Sequence, residues 1–169
     1  MSGPRTYFGK YRGTVMNNVD PEQRARILVS VPDAGGVVPA WALPAVPVAG
    51  NQMGVFVMPP IDASVWIEFE QGNPDMPVWT GGFWGSSAEL PALALGSPLS
   101  PGIVLQTSAQ NTIAISDAPG LSGGIMLRAS TGAMILVSEA GITIANGKGA
   151  SITLTGPTIS LNDGAMEIT

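Results

Sequence analysis

Residues 69–85 read FEQGNPDMPVWTGGFWG. Two apolar runs flank the turn Asn73-Pro74-Asp75, where proline pre-sets φ and the short polar side chains bond back to their own backbone. The stretch closes on Phe83, Trp84 and Gly85. Ten aromatic residues occur up to Trp84, and none in the 85 residues beyond it. A packing regime with room for indole and phenyl rings therefore ends here, and a different one begins.

Upstream of the turn, Ser64–Glu70 alternates, with Val65, Ile67 and Phe69 on one face and Trp66, Glu68 and Glu70 on the other. Pro77–Gly82 returns as its partner strand. Further strands are expected over Tyr11–Val19, Arg24–Val31, Trp41–Val48 and Gly54–Met58. They are punctuated by Asp20-Pro21-Glu22, a loop with Gly35-Gly36, and Pro59-Pro60. About five short strands in this length fit a small closed barrel, which leaves no open sheet edge. Trp66, Phe69 and Trp79 are expected to pack that barrel, and Glu68 and Glu70 to form a solvated strand face. Two carboxylates at i, i+2 share a face as a glycosidase pair would, but one strand with no recognisable pocket offers such a pair no substrate.

Downstream, short alternating runs begin near Gly102: 103–105, 112–116, 125–128, 134–137, 141–144, 151–155, 158–161 and 166–169. Turn signals separate them, including Asp117-Ala118-Pro119-Gly120, Ser122-Gly123-Gly124, Asn146-Gly147-Lys148-Gly149 and Asn162-Asp163-Gly164. The spacing reads as an irregular repeat of stacked strands. In Ser151–Thr155, Ile152 and Leu154 face one way and three hydroxyl side chains the other. A ladder of such strands with one narrow apolar face cannot offset its own ordering entropy. Three chains packed about one axis bring those stripes together. The interior of the resulting prism accepts Ile, Leu, Val and Met but hardly an indole. The expected trimer core is Ile113, Ile115, Ile125, Leu127, Ile142, Ile144, Ile152, Leu154, Ile159 and Leu161. Eight strands stacked at about 4.8 Å give a shaft on the order of 40 Å.

Charge and composition limit the function. Residues 1–84 hold five basic and seven acidic side chains, and 85–169 two and five, for a net −5. No basic stripe exists to follow a phosphate backbone, which argues against nucleic-acid binding. With no Cys and no His, neither a disulfide, a Cys- or His-ligated metal nor a Ser-His-Asp triad can form. Cofactors are therefore not expected. No N-terminal run resembles a signal peptide, and no apolar stretch reaches 18 residues. The expected domains are 1–85, a barrel with an N-terminal extension; 86–101, a connector rich in Ala, Leu, Pro and Ser; and 102–169, the strand array. A carbohydrate-active β-helix enzyme would need a carboxylate cluster, whereas Asp117, Glu139, Asp163 and Glu167 are scattered.

Residues 8–85 resemble the N-terminal OB (oligonucleotide/oligosaccharide-binding) barrel of phage baseplate assembly protein V, the central spike of contractile tails. The resemblance rests on Gly54, Pro59, Val65, Ile67, Phe69, Glu70, Gly72, Asn73, Pro74, Pro77 and Val78 at fixed spacing, with Gly81-Gly82 and Trp84 after them. Arg26–Val31 and Trp41 also match, while Ile61-Asp62-Ala63 departs from the family's Gly-containing turn. Asn111–Gly120 and Gly124–Gly132 are similar to the family's first shaft strands, as also found in type VI secretion spikes.

The resemblance implies an all-β chain: an N-terminal OB-type five-stranded barrel followed by a trimeric intertwined triangular β-helix. It implies a non-enzymatic homotrimeric needle, assembled in the bacterial cytoplasm into a phage tail, tailocin or extracellular injection particle. That needle meets the target membrane only on puncture. The short connector leaves no room for the lysozyme some spikes carry, and zero His excludes their His-x-His iron tip. A chain that starts at the barrel implies a separate baseplate hub protein. An ending on Met166, Glu167, Ile168 and Thr169 implies a blunt end capped by a PAAR-repeat tip protein. The rival reading is a trimeric β-solenoid adhesin or receptor-binding fibre, which would lack the Gly-Asn-Pro block.

Overall fold

The computed structural model describes residues 5–34, 39–95, 102–120 and 123–168. The Gly35-Gly36 loop, part of the connector and of the Ser122-Gly123-Gly124 turn, and Thr169 lie outside the described residues. The chain forms two compact units, residues 1–87 and 88–169.

In the first unit, β1 (Tyr11–Asn17), β2 (Ile27–Ser30), β3 (Ala40–Pro44), β6 (Ser64–Phe69) and β7 (Pro77–Gly82) close into a barrel in the order β1-β2-β3-β7-β6. All neighbours are antiparallel except β3 and β7, which pair in parallel through Leu43↔Val78 and Pro44↔Trp79. Period-two alternation fills the interior: Val15, Ile27, Val29, Ala42, Val65, Ile67, Phe69 and Trp79 are all buried in one core. Between β3 and β6 lies a two-stranded hairpin, β4 (Ala49–Gly50) and β5 (Met53–Gly54).

Two expectations are corrected. Trp66 does not pack the core; alternation sends it outside, where its ring lies 4.6 Å from that of Phe83, with the Arg12 guanidinium over both rings. The strand expected over Gly54–Met58 stops at Gly54. Every barrel strand already has two neighbours, so beyond a single bond from Val55 N to Val48 O the run Phe56–Met58 finds no barrel edge to join, and Pro59-Pro60 cannot extend a ladder.

The second unit is an antiparallel meander of eight strands in sequence order: β8 (Gly102–Gln106), β9 (Thr112–Ser116), β10 (Gly124–Arg128), β11 (Met134–Ser138), β12 (Gly141–Ala145), β13 (Ser151–Thr155), β14 (Thr158–Leu161) and β15 (Met166–Ile168). Each strand pairs with its neighbour in sequence, so this chain satisfies most of its own ladder. Turn asparagines fasten the hairpins. Asn146 Oδ1 accepts from the N–H of Lys148 and of Ala150, at 2.8 and 3.0 Å. Asn111 Oδ1 accepts from Ser130 N at 3.1 Å, and Asn162 Oδ1 from Ser151 N at 3.0 Å, tying successive hairpins along one side. At Gly141 (φ +136°) an added Cβ would fall 2.0 Å from Leu154 O, so only glycine fits.

Candidate assembly interface

The register of the meander builds one surface from separate strands. Ile103, Ile115, Ile125, Val137, Ile142, Leu154, Ile159 and Ile168 stand opposite one another in succession. Leu105, Ile113, Leu127, Ile135, Ile144, Ile152, Leu161 and Met166 form a second column beside them. Two unbroken apolar columns, each eight strands long, thus occupy one face. All ten residues expected in a trimer core lie in these columns. The structure adds Ile103, Leu105, Ile135 and Val137, which show the same alternation in sequence, and also Met166 and Ile168, which sequence reasoning assigned to a tip contact instead.

In the single chain this face is open. Thirteen of the sixteen side chains are between 38 and 62 % exposed, while the barrel core residues Ile27 and Ile67 are at 0 %. A contiguous apolar surface of this extent marks an interaction site. The opposite face differs along its length. Its central column runs Val104, Ala114, Met126, Leu136 and then Thr143, Thr153, Ser160, changing from apolar to hydroxyl-bearing between β11 and β12.

The residues of the Gly-Asn-Pro block prove to shape the barrel around the β6–β7 connection. Val65, Ile67 and Phe69 are core, and Pro77 is buried at the start of β7. After Phe69 the chain makes a tight turn over Glu70–Gly72, and Asn73 Oδ1 accepts from Asp75 N at 3.1 Å. Gly72 (φ +77°) donates no side chain to this turn because a Cβ would press on the Phe8 ring at 3.0 Å; its carbonyl accepts from Tyr7 N at 2.9 Å. Gly54 closes the β4–β5 hairpin, Pro59 O accepts from Asn18 Nδ2 at 2.9 Å, and Val78 pairs with Leu43. Of the tip residues, Met166 and Ile168 are exposed on the last strand, which also contains Glu167; Thr169 is outside the described residues.

Glu68 and Glu70 do not stand as a carboxylate pair. Glu68 forms an ion pair with Lys10, and Glu70 has left the strand for the turn, so the two do not share a strand face. Glu139 Oε2 accepts from Gly120 N at 3.0 Å, a turn-to-turn link. Among the described residues no group of three or more His, Cys, Asp or Glu could hold a metal, and no helix is long and apolar enough to cross a membrane.

Sequence reasoning missed one built charged site. Asp20, in the β1–β2 loop, accepts from the backbone N–H of Glu22, Arg24 and Arg26 at 2.9, 2.8 and 3.1 Å. Arg26 Nη2 reaches Asp20 Oδ1 at 2.8 Å, and its guanidinium lies 5.6 Å from the centre of the Trp41 ring. The Arg26 hydrogen bond, joined by the backbone donors and opposed by burial, holds the Asp20 carboxyl well below the usual carboxylate range. This network organises a loop. Its only sequence signal is the Asp-Pro-Glu turn.

Comparison with known families fits both units. Residues 11–84 match the type VI secretion system/phage-baseplate injector OB domain. Residues 102–167 match the phage baseplate V C-terminal trimerisation domain. No curated protein matches the chain. The first match coincides with the closed barrel and the second with the eight-stranded meander and its open apolar face. The chain belongs to the phage baseplate V family and is a spike component of a phage-type or injection-system baseplate.

Proposed function

We propose that three copies of this chain pack their two-column faces together about one axis, and that the resulting prism is the piercing shaft of a contractile baseplate. The observation that carries this reading is the sixteen-residue apolar face, left open in one chain and continuous over all eight strands. Covering a side chain already half shielded contributes roughly 1 kcal/mol, half the value for full burial. Thirteen such positions make association strongly favourable even after the costs of bringing chains together. With Ile142, Ile144, Ile152, Leu154 and their column partners inside, the Thr and Ser of β12–β14 form a smooth outer wall.

In this reading the barrels engage a separate hub protein, and sheath contraction drives the shaft through the target envelope. Met166–Thr169 receive a PAAR-repeat tip protein. The work is mechanical and non-catalytic, and the particle is assembled in the bacterial cytoplasm. An adhesin fibre would share the apolar face but has no use for the injector-type barrel that residues 11–84 match. Pull-down with hub and tip candidates, before and after deletion of residues 157–169, tests the assignment. The deletion is expected to abolish tip capture and to leave hub capture intact; unchanged tip capture would overturn it.

A further inference from the structure

The barrel unit carries its own unpartnered segment. Between Val48 and Ile61 six large apolar side chains are exposed: Val48, Met53, Val55, Phe56, Val57 and Ile61, with Phe56 at 73 % and Val57 at 64 %. The segment begins as the β4–β5 hairpin, in which Ala49 pairs with Gly54 and Gly50 with Met53. One more bond, from Val55 N to Val48 O at 3.1 Å, extends it. Residues 56–58 then run on outside any ladder.

This arrangement costs free energy in an isolated chain, because an open apolar strand invites pairing. The barrel cannot absorb it. Each of its five strands already has two neighbours, so among the described residues the free strand edges of this unit belong to the hairpin itself. A partner must come from outside the barrel. The match of residues 102–167 to a trimerisation domain supplies one: any trimer held by the meanders carries three copies of the barrel on short connectors. Tethering of this kind gives an effective concentration on the order of 1 mM, at which even a weak contact forms.

We infer that residues 48–57 are a second trimer contact, through which each barrel docks on the barrel of a neighbouring copy. In a three-fold assembly the contact either joins unlike patches of adjacent copies or gathers the three segments at the axis. In both cases Phe56 and Val57 leave solvent. The inference rests on the trimer reading above but concerns a different surface, so the two can fail separately.

Hydrogen exchange of the full-length chain tests it, read at the amides of residues 55–58 alongside the mass of the particle. The comparison is the Ile152→Asp chain, designed to remain a monomer. A contact with a Kd of about 0.1 mM is roughly 90 % formed at 1 mM, and slows exchange about tenfold. The expected result is therefore about tenfold slower exchange in the trimer than in the monomeric chain. Phe56→Ser/Val57→Ser is expected to remove that protection while the particle remains a trimer. Equal exchange rates in trimer and monomer would overturn the inference, and so would protection that appears only after a hub protein is added. A wild-type chain that is itself a monomer would instead overturn the trimer reading on which it rests.

Discussion

Replacing Ile152 with aspartate puts one carboxylate into the second apolar column, opposite Ile144 on one side and Leu161 on the other. In the free chain the position is 40 % exposed, so the substituted side chain keeps contact with water and the ladder of β13 is undisturbed. In a trimer three carboxylates meet in one layer. Each copy loses about 1 kcal/mol of apolar burial, and taking each charge out of water costs several kcal/mol more. The total is about 10 kcal/mol per trimer or above, which at 1.4 kcal/mol per factor of ten is some seven orders of magnitude in association. Light scattering on a size-exclusion column at micromolar protein is expected to show the 17.3 kDa chain alone. Thr153→Asp, on the opposite face one residue away, is expected to leave the assembly intact. Acid should rescue Ile152→Asp: an apolar setting raises a carboxyl's pKa, so neutralisation and reassembly begin above the ordinary aspartate value of about 3.9. The reasoning fails if Ile152→Asp remains assembled at neutral pH, or if Thr153→Asp dissociates the particle equally.

Three further outcomes are expected. Gly141→Ala drives a Cβ to 2.0 Å from Leu154 O at a backbone conformation suited to glycine; it should destabilise the meander by about 2–3 kcal/mol or more, read as a lower denaturation midpoint with barrel stability unchanged. Ile67→Ala empties a site at 0 % exposure in the barrel core and should cost about 2–5 kcal/mol in chemical denaturation; a loss below about 1 kcal/mol would show that the core is not packed as described. Asp20 has a folded-state pKa below its unfolded value, so its contribution is complete above about pH 4 and is lost as pH falls further. Barrel stability of the wild type should decline through that acid range, whereas Asp20→Asn should be less stable at pH 7 and show a shallower acid decline.

The strand content of the second unit was legible almost residue by residue. Turn chemistry such as Asn146-Gly147 and Asn162-Asp163-Gly164 separates strands too short to hold anything but two inward side chains. The aromatic boundary at Trp84 was legible for the same physical reason, since strand ends and volume limits are local properties. Pairing partners were less so. Gly54–Met58 reads as a strand by its apolar run, but how far it joins a ladder depends on a free edge, and closure of β3 on β7 leaves the barrel none. Trp66 reads as core by its size, yet its position in the alternation sends it outward to Phe83 and Arg12. Asp20 gathers three backbone donors and Arg26 only once the β1–β2 loop has folded around it, so nothing local in sequence distinguishes it from the other acidic turn residues. Among the residues of the open face, Ile103, Leu105, Ile135 and Val137 needed the meander's register before their alignment with Ile115, Ile113, Ile144 and Ile142 became evident.

Native mass spectrometry of the unmodified chain bears most directly on the central claim. Packing of the two-column face about a three-fold axis predicts a single species of about three times the 17.3 kDa chain mass at micromolar concentration, persisting on heating. A species of one chain mass under those conditions would contradict it.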